Sequence, residues 1–427
     1  MILFETFGLF MLAGLLGVPL VYGLLLATAT MIWLKDLGHP LTSVFLSYIG
    51  GVEPFVLIAV PLFMLAGEIL SRGGVGMRIV TFATTLLGFL PGGLGIATVS
   101  SCLIFGGVSG SAIADTAAIG SVMTPAMVRK GYKAAFAGAL MSTAGTLAVV
   151  MPPSIPMLVY AFVSGASVRD LFLAGVVPAF AFAIGLSIDC VWTGKRTGCD
   201  RGGERAPASE IWAAFLKAFP ALLMPVVILG GIWSGYFTPT EAAAVAAAYG
   251  LFVSMVIYRD LRPRDLPALL LKSFTTSAVV MVVIGATSCL AWLITVEQVP
   301  AQIAGFVEHY AHSQWTFLLL VNFSLLALGC FIEPVPALLL AAPLLVPLSA
   351  PFHIDPVHLG LIMTCNLAIG LYTPPVGGTL MVGARLAGVG MGAVVKHLIP
   401  QMMISICILL VVTYIPAISM SLVHLVR

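Results

Sequence analysis

Apolar runs of about 20 residues, enough for a helix to cross a hydrocarbon core of roughly 30 Å, recur along the chain. They lie at 14–34, 53–71, 132–165, 171–192, 213–233, 239–258, 274–295, 355–387 and 398–420. The opening residues leave room for one more short helix. Two regions break the pattern. In 94–128, LGIATVSSCLIF is followed by the Gly/Ser-rich GGVSGSA and then IADTAAIGSVMTPAMV. In 316–349, TFLLLVNFSLLALG, CFIEPVP and ALLLAAPLLVPL follow in the same way. Arms of about 12 to 16 residues reach only about 18 to 24 Å, so both regions predict re-entrant helical hairpins that leave by the side they entered. Such hairpins are tolerable at membrane depth only when packed in protein or lining a cavity. Segments 75–90 and 297–313 precede the hairpins at corresponding places, and their mixed polarity predicts helices lying along the interface. TPTE, 238–241, has the spacing of a helix capping box.

Prolines turn this pattern into a repeat. Pro152-Pro153 and Pro374-Pro375 interrupt two of the spans and stand 222 residues apart. Superposing 121–178 on 343–400 also aligns Pro125 with Pro347 and Pro178 with Pro400. Matched breaks in matched hydrophobic segments are the mark of a secondary transporter. Charge then sets orientation. Arg129, Lys130 and Lys133 follow the first hairpin, whereas PFHID follows the second with no Lys or Arg. Positive-inside counting places the first hairpin's base in the cytoplasm and the second's outside, so the repeats are inverted. Lys195, Arg196, Arg201 and Arg205 mark one further cytoplasmic loop, and Arg259, Arg262 and Arg264 another; Arg169 is a mild exception. The expected organisation is a first repeat over 1–196, a polar linker at 197–211 and a second repeat over 212–427.

Composition agrees and excludes rivals. With 60% hydrophobic and 8% charged residues, too little polar surface exists to cover a water-soluble globule, so the expected fold is an all-α polytopic membrane protein. No Lys or Arg precedes Lys35, so the start lacks the basic region of a cleavable signal and is expected to be retained. A net charge of +2 without a basic, aromatic-interleaved run argues against nucleic acid. The seven cysteines follow no metal or redox spacing, and the seven histidines are scattered. GVSGS at 107–111 is not a nucleophile elbow, and neither H-E-x-x-H nor a P-loop is present, so no enzyme is expected.

Unwinding a helix inside a membrane frees backbone carbonyls that need partners. A small cation is one such partner. Polar residues gather where the breaks and tips are expected: Ser109, Ser111 and Asp115 at the first tip, Ser154 at its break, Glu333 at the second tip, and Asn366, Thr373 and Thr379 around the second break. Hard oxygens suit Na⁺, and N–H groups at half-helix starts suit an anionic substrate. Asp115 and Glu333, as ionisable groups at depth, are read either as ligands or as helix caps.

GGVSGSAIADTAAIGSVMTPAM (106–127), VMPPSIPMLVYA (150–161), GYFTPTEAAAVAAAYG (235–250), FIEPVPALLLAAPLLVPL (331–348) and DPVHLGLIMTCNLAIGLYTPPVGG (355–378) closely resemble the large membrane subunit of TRAP (tripartite ATP-independent periplasmic) transporters. The resemblance implies an elevator-type, sodium-coupled importer of a small organic acid in the bacterial inner membrane. Its implied partners are a periplasmic substrate-binding protein and a small four-helix membrane subunit, expected as a separate chain. It also implies a mobile transport domain holding both hairpins, with the remaining spans as scaffold. Carried over, the sodium sites fall at Ser109, Gly110 and Ser111 with the Asn366 region, and at Thr373 to Gly377 with the second tip. Together the expected ion ligands are Ser109, Gly110, Ser111, Asp115, Glu333, Asn366, Gly370, Thr373, Pro374 and Gly377. The expected substrate contacts are Gly110, Ser111, Ser154, Pro334, Gly377, Gly378 and Thr379. Departures from the family pattern are STAGTLAVV (142–150), which lacks a proline near the break, Glu333 where Asp is commoner, and Gly378-Thr379 after the second break. The rival reading is a stand-alone dicarboxylate or citrate sodium symporter that needs no binding protein.

Overall fold

The computed structural model describes residues 2–35, 37–303 and 313–426. Among these residues regular structure is helical throughout. Among the described residues seven helices are long and apolar enough to cross a membrane: Phe55–Arg72, Val168–Thr197, Ala208–Trp233, Pro239–Ile257, Pro263–Val296, Pro334–Phe352 and Met391–Tyr414. Of these, Pro334–Phe352 was expected only as a short hairpin arm, and the expected spans 14–34 and 355–387 are split into shorter helices. The pair Ala134–Val150 and Ile155–Ser164, bent by 41°, makes an eighth if taken as one span.

Local chemistry explains where these elements differ from expectation. The run at 14–34 is divided between Ile2–Leu15 and Leu20–Leu34, because Gly17 turns at φ +81° and Pro19 offers no N–H. Thr42–Val52 is an additional helix, too short to read as a span. The last span starts earlier than 398 and ends at Tyr414, and Pro416 opens a separate helix, Pro416–Val426. Val75–Leu87 realises the helix expected at 75–90, burying Val75, Ile79, Val80 and Ala83 along one stripe. Most of its counterpart at 297–313 lies outside the described residues. The hairpin arms, Gly93–Ser109, Ala112–Arg129, Gln314–Gly329 and Pro334–Ser349, have 16 to 18 residues rather than 12 to 16. GGVS, which reads as loop, continues the helix because small residues serve close packing there. A Cβ on Gly106 would lie 2.7 Å from the Ala148 Cα.

The helices form two clusters that touch where Val75–Leu87 packs on Gly93–Ser109 and Leu266–Val296 packs on Pro334–Ser349. In one, Ala59–Arg72, Pro239–Phe252 and Leu266–Val296 pack with Leu20–Leu34 and Thr42–Val52, and Ala208–Trp233 packs on Val75–Leu87 and Pro239–Phe252. In the other, the hairpins surround two interrupted helices, backed by Val168–Thr197 and Met391–Tyr414. The returning arm Ala112–Arg129 packs on Gly378–Ala387, the far half of the second interrupted helix, and Pro334–Ser349 packs on Ile155–Ser164, the far half of the first. This reciprocal exchange ties the halves together. Tyr160, fully buried, donates from its hydroxyl to the Pro356 carbonyl at 2.7 Å, and a Cβ on Gly360 would strike its ring.

Candidate functional site

Both proline pairs interrupt their helices. The first helix stops at Val150 and resumes at Ile155; the second stops at Gly370 and resumes at Gly378, and both Pro-Pro peptide bonds are cis. Ser154, buried, caps the resumed helix: its Oγ donates to the Val149 carbonyl at 2.5 Å and accepts from the Met157 N–H at 3.4 Å. At the second break, Thr373 Oγ1 donates to the Ile369 carbonyl at 2.7 Å, and Thr379 donates to the Leu371 carbonyl through both its N–H (3.1 Å) and its hydroxyl (3.0 Å). Side-chain hydroxyls thus engage main-chain carbonyls at both breaks, and the Ile369 carbonyl also accepts from the Tyr372 N–H at 3.3 Å.

The first tip is a two-residue turn. Gly110 sits at φ +62°, which closes Gly93–Ser109, and Ser111 is extended and caps Ala112–Arg129 by accepting from the Ala114 N–H at 3.4 Å. Ser109 Oγ accepts from the Ser111 N–H at 3.2 Å and donates to Asp115 Oδ1. Asp115 is fully buried in the first turn of its helix, where the helix dipole favours a negative charge. Its other oxygen, Oδ2, has no hydrogen-bond partner among the described residues. The tip meets both breaks. A Cβ on Gly110 would lie 3.3 Å from the Pro153 carbonyl oxygen, and one on Gly378 would lie 3.3 Å from Ile113 Cδ1.

Asn366 stands one turn before the second break and is fully buried. Its Nδ2 donates to Asn322 Oδ1 at 2.7 Å and to the Ile362 carbonyl at 2.8 Å, while its Oδ1 has no partner among the described residues. Asn322 in turn donates to Thr413 Oγ1 at 3.2 Å. One hydrogen bond of Asn366 therefore runs to the second hairpin's first arm and the other stays within its own helix; among the described residues none reaches Ser109, Gly110 or Ser111. That arm comes close at the break itself, where a Cβ on Gly370 would fall 2.5 Å from Gly329 backbone atoms. Glu333 precedes Pro334 at the second tip as the N-cap residue, yet its side chain makes no capping bond and the residue is exposed. The capping alternative therefore fails for Glu333. For Asp115 the capping role belongs to Ser111 instead, and Asp115 joins the tip's own network.

Sequence reasoning passed over several buried polar groups. Gln401 donates to Asp189 Oδ2 at 3.1 Å and accepts from Thr143 Oγ1 at 3.0 Å, linking Val168–Thr197, Met391–Tyr414 and the first interrupted helix. Asp200 lies in the polar linker but is buried: its carboxylate accepts from the Leu94 N–H and the Tyr132 hydroxyl, each at 3.0 Å, and its carbonyl accepts from the Gly92 N–H at 2.8 Å. The start of the linker thus pins the base of the first hairpin. A charged residue inside an apolar span was the available signal for Asp189; nothing in the linker singled out Asp200.

Among the described residues no group of His, Cys, Asp and Glu forms a metal centre. The oxygens at the breaks are hydroxyls, amides and main-chain carbonyls, and the unpartnered buried atoms Asp115 Oδ2 and Asn366 Oδ1 are both acceptors. That donor set fits a hard monovalent cation.

Helices of this number and hydropathy define a multi-pass membrane protein. The chain belongs to the family described as "Tripartite ATP-independent periplasmic transporter, DctM component", matched over residues 7–418, and it is a multi-pass protein of the bacterial inner membrane. It is 43% identical, over 87% of its length and 86% of the relative's, to the C4-dicarboxylate TRAP transporter large permease protein DctM of Pseudomonas aeruginosa. It is 38% identical to the protein of the same description in Rhodobacter capsulatus, covering 98% of each chain. The solved structure of Neisseria gonorrhoeae MtrF, described among antimetabolite efflux pumps, shares the fold with a TM-score of 0.60 at 14% identity, covering 87% of this chain and 83% of that one.

Proposed function

We propose that this chain is the transport subunit of a binding-protein-dependent system that imports a small organic acid across the inner membrane, driven by sodium. Its partners in this reading are a periplasmic binding protein, a small four-helix membrane subunit on a separate chain, and the bilayer. The word tripartite in the family description and the dicarboxylate relatives support that assignment. A stand-alone symporter finds no support in a chain of the tripartite family.

The observation that carries the sodium reading is the convergence of the first tip on both breaks, with Asp115 Oδ2 and Asn366 Oδ1 left without donors. An unmet buried acceptor costs about 1–3 kcal/mol, and Na⁺ supplies the missing partner at no change of fold. Substrate carboxylate then meets N–H groups where helices resume, near Gly110, Ser111, Ser154, Gly377, Gly378 and Thr379, with Pro334 at the second tip. Two inverted repeats, 1–196 and 212–427, account for the reciprocal packing of each returning arm on the other repeat's resumed helix. The hairpins re-enter the membrane, and the group holding them slides as an elevator against the remaining spans. Sodium drives closure only by binding the ordered tips more tightly than the open ones.

Proteoliposomes holding the complete system and an inward sodium gradient test this. Uptake of a cognate organic acid is expected to collapse when potassium or choline replaces sodium; equal uptake in all three salts rejects the coupling.

A further inference from the structure

A cavity of about 500 Å³ opens beside the base of the first hairpin, away from the breaks, and is lined by Tyr132, Lys133, Asp189, Trp192, Arg196 and His397 among others. Its depth in the bilayer follows from helix length. Val168–Thr197 has 30 residues, about 45 Å at 1.5 Å per residue, against a hydrocarbon core of roughly 30 Å. The end of this helix, with Trp192 and Arg196, therefore emerges at headgroup level. His397 lies in the first two turns of Met391–Tyr414, at the matching height. The Lys and Arg excess around 129–133 and 195–205 puts this rim on the cytoplasmic side.

The walls are fixed and the cations are not neutralised. Tyr132 stacks on Phe136 with ring centroids 5.7 Å apart, and Phe136 meets His397 edge to face at 6.3 Å. The Arg196 guanidinium rests 4.9 Å from the centre of the Trp192 ring, which is 53% exposed. Neither Lys133 nor Arg196 makes an ion pair among the described residues. Asp189 is the one carboxylate in the lining, and its Oδ2 is already engaged by Gln401. A second basic cavity, lined by Arg72, Arg78 and Lys217, differs on this point: Asp260 pairs with Arg78 and Glu68 with Arg72.

We infer that the cavity bounded by Lys133, Arg196 and Trp192 binds the phosphate headgroup of an anionic phospholipid of the cytoplasmic leaflet. Basic pockets between helices on this side suit such headgroups. The guanidinium fork matches phosphate oxygens, Lys133 adds a point charge, and an indole at the interface packs beside the glycerol region. Because Lys133 sits at the hairpin's base and Arg196 on the neighbouring span, the headgroup joins two elements that share no ion pair.

The test titrates the full-length chain, delipidated in detergent, with phosphatidylglycerol, phosphatidylcholine or sodium phosphate. Retained lipid is read by native mass spectrometry and stability by the thermal midpoint. Phosphatidylglycerol is expected to bind and raise the midpoint, and phosphatidylcholine and sodium phosphate are not. At roughly fivefold per cation, Lys133→Gln with Arg196→Gln lowers phosphatidylglycerol affinity about 25-fold, whereas Arg264→Gln, an exposed cation elsewhere, leaves it unchanged. If the double variant unfolds early in phosphatidylcholine, Arg196→Gln alone is expected to show the fivefold loss. Equal retention of both lipids, wild-type affinity in the variants, or equal stabilisation by sodium phosphate overturns the assignment, the last in favour of a soluble anion.

Discussion

At the scale of single residues, Asp115 and Asn366 are the pair on which the proposed ion site turns. Each is fully buried and each keeps a bare acceptor; Asp115 is held by Ser109, and Asn366 by Asn322 and the Ile362 carbonyl. Asp115→Asn removes the charge while preserving the shape. It is expected to raise the sodium concentration for half-maximal uptake about tenfold or more, a loss of about 1.4 kcal/mol, with little change in expression. Ser111→Ala and Thr373→Ala are expected to shift the same measurement in the same direction by less. Asp115 and Asn366 were legible in the sequence because a carboxylate or amide in an apolar run has to be explained. Their partners were not equally legible. Asn322 sits 44 residues from Asn366, and only the packing of an arm on a broken helix brings the two together.

At the scale of elements, the two breaks could be read directly from Pro152-Pro153 and Pro374-Pro375, since proline removes a donor and clashes with the preceding turn. Arm lengths could not. Glycine and serine are equally at home in a loop and in a helix that must approach its neighbour, and GGVS does the second. The same physics sets a prediction at Gly370, where helix and arm meet backbone to backbone. Gly370→Ala places a Cβ 2.5 Å from Gly329, and overpacking of this kind costs roughly 1–3 kcal/mol. The expected result is a lowered thermal midpoint that Gly329 cannot relieve, having no side chain to move. Asp200 supplies the other element-scale test. It serves the start of Gly93–Ser109 from a distant loop, so Asp200→Ala is expected to cost about 1–2 kcal/mol, with Asp200→Asn recovering part of it; thermal unfolding in detergent reads both. The linker gave no sign of this, because a carboxylate in a polar loop is normally solvated.

At the scale of the whole molecule, the grouping of helices around the breaks and of spans beside them is the basis of the proposed elevator. Gly76 on Val75–Leu87 faces Ile119 on the first hairpin, with a Cβ at Gly76 only 3.3 Å from the Ile119 side chain. Gly76→Cys with Ile119→Cys, in a chain freed of its own cysteines, is expected to stop uptake when bridged by a short reducible cross-linker and to regain it on reduction. Unimpeded uptake in the bridged form contradicts sliding between these elements. Proline spacing foreshadowed the matched interruptions, but hydropathy predicted nine spans where seven or eight helices qualify among the described residues, and which half-helix meets which hairpin arm was set by tertiary packing that no periodicity encodes. The central claim remains that sodium orders the first tip against the two breaks, and hydrogen exchange of the purified chain in sodium against choline measures this most directly. The account predicts that sodium slows amide exchange across 106–116, 149–155 and 370–379 while leaving Ala208–Trp233 unchanged; identical exchange of those three segments in both salts would contradict it.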